Sequence, residues 1–171
     1  MQIQSQLTDL RLHGMSRMWQ SLQETKRLHE LSLSDGLQLL LQCEDEDRQN
    51  RRSARLRKHA HFRYQASIEE LRMDAARGLD KALISELAKG DYITQGQSVL
   101  ITGATGCGKS FLVSALGHHA CAQGYKVAYY NLLKLLIRTK MARIDGSIYK
   151  FFEQTSKTDL LILDDFGLTN L

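Results

Sequence analysis

The ten-residue stretch ITGATGCGKS, from Ile101 to Ser110, constrains the fold of this chain more than any other feature. It contains the pattern G-x-x-x-x-G-K-S, with glycines at positions 103 and 108 followed by Lys109 and Ser110. This pattern is typical of a loop between a buried strand and a helix, where glycines let consecutive backbone N–H groups turn toward one phosphate. The sequence therefore predicts a strand, a phosphate-binding loop and a helix that begins near Lys109.

The residue types in this loop predict specific roles in binding ATP and Mg²⁺. Backbone amides from about Gly106 to Phe111 are expected to converge on the β-phosphate at the positive end of the helix. Lys109 is expected to neutralise the β- and γ-phosphates and to be catalytic, and the Ser110 hydroxyl is suited to bind Mg²⁺. The alternative is a glycine-rich turn that binds no phosphate and contains a lysine by chance. The predicted nucleotide-binding residues are Gly103, Ala104, Thr105, Gly106, Cys107, Gly108, Lys109, Ser110 and Phe111.

An acidic motif follows about fifty residues later, where the apolar run Leu160 to Leu163 ends in Asp164 and Asp165. A buried parallel strand presents such a carboxylate at its carboxyl end, where Mg²⁺ and its waters bind. We therefore predict Asp164 as the second metal residue beside Ser110. We predict Asp165 as a catalytic residue that orients the attacking water or accepts its proton. The alternative is a pair of solvated aspartates in a turn.

The spacing of apolar residues predicts an α/β fold with a helical N-terminal region. Residues 1–90 show leucines at helical spacing, including Leu37, Leu40 and Leu41 at the buried start of a long helix and Gly90 at the end of another. From residue 97 three short apolar runs, at 97–103, 126–131 and 159–165, alternate with helical stretches. This alternation predicts a parallel sheet flanked by helices. We divide the chain into a helical region, 1–75, and an ATPase core, 76–171.

A basic segment, Arg48 to Arg63, has seven Lys and Arg among sixteen residues and no acidic residue. On a helix, five of these cations form one stripe that can follow DNA phosphates. The alternative is a solvated helix or a protein contact, because Glu44 and Asp47 lie four residues before two of the arginines and can pair with them. The predicted DNA-binding residues are Arg48, Arg51, Arg52, Arg55 and Lys58.

Composition limits the compartment in which such a protein works. The chain has 43% apolar and 25% charged residues, and no run approaches eighteen consecutive apolar residues. The polar start MQIQSQLTDL does not resemble a signal peptide. Three cysteines without a CxxC pair favour a reducing environment. We expect a cytoplasmic protein without a membrane segment.

The two motifs and several other stretches resemble one family along essentially the whole chain. ARGLDKALI and LGHHACAQGYKV, together with GATGCGKS and DLLILDDFGL, resemble the IstB group of ATP-binding helper proteins of insertion-sequence transposition. That group is similar to the helicase loader DnaC and belongs to the AAA+ class of P-loop NTPases. The resemblance implies an ATPase that assembles as a homo-oligomer on double-stranded DNA and delivers this DNA to a partner transposase.

The chain departs from the family pattern after the second motif. AAA+ proteins continue with a core strand that carries a polar sensor, then an arginine finger and a helical lid, whereas this sequence ends at Leu171. The additional strand normally lies between the phosphate-loop strand and the strand of Asp164, so we expect a core that is incomplete at its C-terminus and leave turnover undecided. Two alternatives stay open. One is a loader of a replicative helicase, and the other is a truncated nucleotide-binding subunit without turnover.

Overall fold

The computed structural model describes residues 3–73 and 79–166. Its contacts divide the chain into two compact units, Met1–Arg52 and Ser53–Leu171. The division falls inside one long helix, which was predicted to run from about residue 36 to residue 60. The predicted functional boundary between residues 75 and 76 lies outside the described residues and stays a prediction.

The first unit contains two short helices and the beginning of a long one. Helix α1 spans Ile3–Asp9, α2 spans His13–Glu24, a 3-10 turn spans Arg27–His29 and α3 spans Leu33–Ala60. The Ser32 hydroxyl accepts a hydrogen bond from the Asp35 amide at 3.1 Å, which caps the first turn of α3 as expected of a serine at this position. The prediction of a long helix after residue 32 is therefore confirmed.

Helix α2 lies against α3 through a very close backbone approach at Gly14. A β-carbon at this position would lie 2.2 Å from the carbonyl oxygen of Cys43, so only glycine fits. The buried Glu44 carboxylate accepts hydrogen bonds from the Gly14 amide at 2.8 Å and the Met15 amide at 3.3 Å. Since α2 has no capping side chain of its own, a carboxylate from α3 satisfies its first amides.

The leucines at the start of α3 are less buried than their spacing predicts. Leu37 and Leu41 are each 53% exposed, and Leu40 is half-buried. The prediction that all three are buried is therefore wrong. The apolar stripe at the start of α3 is therefore largely exposed to solvent at Leu37 and Leu41.

The second unit is built around a two-stranded parallel sheet. Strand β1 pairs with β2 in a register that runs from Val127 opposite Leu160 to Asn131 opposite Asp164. The predicted strands near 126–131 and 159–165 and their parallel pairing are confirmed. In the described parts of the chain no helix is long and apolar enough to cross a membrane. The elements are α4 Lys81–Lys89, α5 Asp91–Thr94, α6 Lys109–Ala122, β1 Val127–Asn131, α7 Leu132–Ile144, α8 Ile148–Ser156 and β2 Leu160–Asp164.

Two apolar clusters hold the helices of this unit in place. One cluster joins α6 to both strands through Cys121, Val127 and Ile162, and the other joins α4 to α6 through Ile84 and Leu112. Helix α6, which begins at the phosphate-loop motif, is therefore packed on the sheet along one side and against α4 on another.

The ends of α4 follow the sequence rules for helix caps. The Asp80 carboxylate accepts a hydrogen bond from the Ala82 amide at 2.8 Å, and Gly90 ends the helix with φ 81°. The predicted helix end at Gly90 is confirmed.

The predicted strand at 97–103 does not form. Leu100 is 78% exposed, and within the described residues the one backbone hydrogen bond of this segment runs from the Gln97 amide to the Tyr92 carbonyl at 2.8 Å, so no ladder joins the segment to another strand. A strand requires a paired neighbour, because isolated extended backbone is no better bonded than solvated coil. The family resemblance puts a further strand between this segment and β2, and the described residues contain no such strand.

Candidate nucleotide-binding site

The loop before α6 has the backbone conformation that an anion-binding loop requires. Gly106 and Gly108 have φ of 80° and 93°, which are left-handed values that cost a residue with a β-carbon about 1–2 kcal/mol. Within the described ranges, no hydrogen-bond acceptor lies opposite the amides of Gly106, Gly108, Lys109 and Ser110. These N–H groups cluster at the positive end of a fourteen-residue helix, so they are available to a bound phosphate.

The Lys109 ammonium is held by the loop itself. Its Nζ donates to the carbonyl oxygens of Gly103 at 2.8 Å and Ala104 at 2.9 Å. No ion pair binds Lys109 among the residues that the structure describes. An arriving phosphate therefore has to displace only neutral carbonyl groups to reach this charge, and no carboxylate competes for it.

Asp164 lies at the carboxyl end of β2, directly beside the start of α6. The Ser110 hydroxyl donates to Asp164 Oδ1 at 2.9 Å, and the Asp165 amide donates to the same oxygen at 3.0 Å. The Tyr129 hydroxyl donates to Oδ2, and Arg63 Nη1 lies 3.4 Å from it. Burial of Asp164 disfavours its charged form, but the bonds from Tyr129 and Ser110 outweigh this effect and hold the pKa of Asp164 below its ordinary value.

Asp165 is aimed differently from Asp164 because its backbone turns. It has φ 58°, a left-handed value that aspartate tolerates better than most residues. Its Oδ2 accepts a hydrogen bond from Asn131 Nδ2 at 2.6 Å and lies 3.6 Å from Arg63 Nη1. Because β1 and β2 are parallel, Asn131 and Asp165 meet at the same edge of the sheet.

The chemistry of these groups fits Mg²⁺. A hydroxyl and a carboxylate 2.9 Å apart are the hard oxygen ligands that this ion prefers. Among the described residues no group of three or more His, Cys, Asp or Glu could hold a metal by itself. Ser110 and Asp164 therefore suit an ion whose other ligands are phosphate oxygens and water, as is usual for Mg²⁺ with nucleotides.

The structure thus brings together Ser110, Asp164 and Asp165, which the sequence had only suggested as neighbours. Sequence reasoning assigned no role at this site to Tyr129 or Arg63. Tyr129 carried a signal, since it lies two residues before the end of β1 on the same face as Asn131. Arg63 carried none, because 101 residues separate it from Asp164.

The predicted DNA-binding residues divide into two groups. Arg48 Nε lies 2.7 Å from Glu44 Oε1, and Arg51 Nε lies 2.7 Å from Asp47 Oδ2. Both carboxylates are buried, and Arg17 also pairs with Asp47. The alternative considered from sequence, intrahelical ion pairs, is therefore realised at these two arginines.

The remaining part of the stripe is more open. Arg52, Arg55 and Lys58 are exposed on α3, and the buried positions Ser53 and Ala60 lie on its opposite side. Within the described residues, Arg55 and Lys58 form no ion pair.

Comparisons with known proteins identify the same family along the chain. The sequence profile of the family described as IstB-like ATP binding protein matches residues 5–171. A Pseudomonas fluorescens protein named as an ATP-binding protein of insertion sequence IS1162 is 44% identical over 98% of this chain and 73% of its own length. The insertion-sequence ATP-binding protein y4pL of Sinorhizobium fredii is 36% identical over 96% of this chain and 67% of its own length. The corresponding IS21 protein of Pseudomonas aeruginosa is 27% identical, and the match spans 61% of that relative.

Proposed function

The chain belongs to the family of IstB-like ATP-binding proteins, and from this premise we propose that it binds ATP at the loop from Gly103 to Ser110. One observation carries the proposal: free amides at the beginning of α6 lie next to a Ser110–Asp164 pair at 2.9 Å. Groups that can bind a phosphate thus lie beside groups that can bind a cation, as a Mg²⁺-bound triphosphate requires.

Each residue then has a distinct role in binding. The amides from Gly106 to Ser110 donate to phosphate oxygens, and Lys109 turns from the loop carbonyls to the β- and γ-phosphates. Ser110 and Asp164 hold the Mg²⁺, which neutralises phosphate charge when it is bound. Tyr129 keeps Asp164 oriented and ionised, since its hydroxyl donates to that carboxylate.

The variant Lys109→Ala tests the binding site directly. We expect its dissociation constant for Mg·ATP to rise at least about tenfold, equivalent to about 1.4 kcal/mol, because the only side-chain cation of the loop is lost. Isothermal titration calorimetry measures this change. Lys140→Ala, which removes an exposed lysine from α7, is the matched control. Equal affinity in the wild type and the Lys109 variant would remove the basis of the assignment.

We further propose that Asp165 orients the attacking water when ATP is hydrolysed. Its 2.6 Å hydrogen bond from Asn131 and its turned backbone support this role, because they hold the carboxylate at the edge of the sheet through Asn131 rather than through Ser110. Phosphate release with and without duplex DNA tests the proposal. No release from a protein that binds ATP normally would instead support a subunit without turnover.

The wider role that we propose is assembly on double-stranded DNA as a homo-oligomer and delivery of that DNA to a transposase in the cytoplasm. The support is that the related proteins are named after insertion sequences. No comparable observation favours a helicase loader. Co-purification of the chain with the transposase of its element, and not with the replicative helicase, is the expected result; the reverse would transfer the role to helicase loading.

A further inference from the structure

Arg63 is the one residue at the nucleotide site for which the proposed function gives no role. It follows the end of α3, and its Nη1 lies 3.4 Å from Asp164 Oδ2 and 3.6 Å from Asp165 Oδ2. Its side chain is 50% exposed. The two carboxylates therefore share a positive charge supplied by the chain itself.

The backbone on both sides of Arg63 is anchored to α6. The Phe62 ring packs on His118 with ring centres 4.3 Å apart, and it fills the space beside Gly117, where a β-carbon would lie 2.4 Å from the ring. On the other side, His118 Nε2 is hydrogen-bonded to the Tyr64 carbonyl at 3.1 Å. Arg63 can consequently leave the carboxylates by rotating its side chain, without any shift of the main chain.

Among the four donors to Asp164, Arg63 is the one that can be released most easily. Tyr129 is buried, Ser110 is fixed in the first turn of α6 and the Asp165 amide belongs to the adjoining backbone. The Arg63 contact, at 3.4 Å, is longer than the bonds from Ser110 and from the Asp165 amide, and Arg63 is the most exposed of the four donors. Exposed ion pairs contribute little. A group that approaches Asp164 from solvent therefore meets Arg63 as the replaceable partner.

We propose that Arg63 is a resident counter-ion that competes with Mg²⁺ for Asp164. Without metal it neutralises the paired carboxylates, which would otherwise repel each other, and the Mg²⁺ of a bound nucleotide replaces it. This inference rests on the proposed nucleotide binding and adds an exchange of one cation for another. Its consequence is that Arg63 reduces the gain in nucleotide affinity that Mg²⁺ provides.

The test compares nucleotide binding with and without the metal. The dissociation constant of fluorescent mant-AMPPNP is measured in EDTA and in saturating Mg²⁺, and the ratio of the two values gives the gain due to the metal. In Arg63→Gln we expect this ratio to be about two- to fivefold larger than in the wild type, as expected for the loss of an exposed ion pair. Arg63→Lys keeps a cation at the position and should remain close to the wild type.

Arg143→Gln is the matched control. Arg143 is an exposed arginine of α7 and forms no ion pair within the described residues. An equal ratio in Arg63→Gln and Arg143→Gln, or a smaller ratio in Arg63→Gln, would overturn the competition; the smaller ratio would indicate that the guanidinium assists the metal-bound nucleotide. If the wild type binds no mant-AMPPNP at any Mg²⁺ concentration, the proposed function itself fails. Circular dichroism melting verifies that each variant is folded.

Discussion

At the scale of single residues, His118 combines burial with a fixed tautomer. It lies in α6, its Nε2 is hydrogen-bonded to the Tyr64 carbonyl and its ring stacks on Phe62. A carbonyl only accepts, so Nε2 carries the proton of a neutral imidazole. Burial lowers the pKa of His118, and the bond to Tyr64 opposes this only in part. The segment that carries Arg63 is therefore held by a histidine whose neutral form is favoured by burial.

This lowered pKa predicts a loss of stability in mild acid. The unfolded chain binds a proton near the ordinary histidine pKa of about 6.5, before the folded chain does. The stabilisation is thus complete above that pH and declines as the pH falls through it toward the folded value. We expect the Tm to fall between about pH 7 and 5 in the wild type and to fall less in His118→Gln, which keeps a donor for Tyr64. His59→Gln is the control for loss of an exposed imidazole, and identical pH profiles for wild type and His118→Gln would contradict the assignment.

Residues of the site differ in how far sequence could reveal them. Ser110 and Asp164 were predictable because each belongs to a local motif whose chemistry is fixed by a few adjacent residues. Arg63 was assigned to the basic segment because of its sequence neighbours. Its position beside Asp164 depends on the contacts that Phe62 and Tyr64 make with α6. Long-range contacts of this kind leave no periodic signal.

At the scale of elements, strands were predictable only where a partner exists. The runs at 126–131 and 159–165 form β1 and β2 because each supplies the other with hydrogen bonds. The run at 97–103 has the same apolar, β-branched composition but stays unpaired. Composition therefore identifies a segment able to become a strand, whereas pairing decides whether it does.

The crossing of α2 and α3 predicts opposite effects for two glycine substitutions. Gly14→Ala should destabilise the first unit by about 1–3 kcal/mol, because its new methyl group meets the Cys43 carbonyl, which cannot move without shifting α3. Gly36→Ala should stabilise it by about 0.5–1 kcal/mol, since Gly36 is inside α3 with open space around it. Urea unfolding followed by the fluorescence of Trp19, the single tryptophan, which lies in α2, reports both changes. Similar effects of the two substitutions would contradict the close crossing.

At the scale of the whole molecule, the net charge of +4 says less about DNA binding than which of the cationic side chains are paired with carboxylates. The basic stripe was predictable as a pattern, but sequence could not show that buried Glu44 and Asp47 would neutralise Arg48 and Arg51. Those carboxylates also satisfy the beginning of α2 and pair with Arg17, which depends on tertiary packing. We therefore expect the two halves of the stripe to contribute unequally to DNA binding.

This inequality can be measured with two matched double variants. The double variant Arg55→Gln with Lys58→Gln should weaken duplex DNA binding. It should also reduce the steepness of the slope of log K against log salt concentration by about 0.9 for each lost phosphate contact. Arg48→Gln with Arg51→Gln removes the same charge but should have a smaller effect, since both arginines are engaged with buried acids. Fluorescence anisotropy over a range of salt concentrations gives both slopes. Equal slopes for the two double variants would mean that the ion pairs of Arg48 and Arg51 do not reduce their contribution to DNA binding.

We propose above that main-chain amides around Gly106 to Ser110 receive the phosphates of ATP. Hydrogen–deuterium exchange, measured with and without Mg·ATP, follows these amides individually. We expect ATP to slow exchange from Gly106 to Ser110 in the wild type and, at an ATP concentration that saturates only the wild type, to leave it unchanged in Lys109→Ala. Slowing elsewhere in the chain without any at this loop would contradict it.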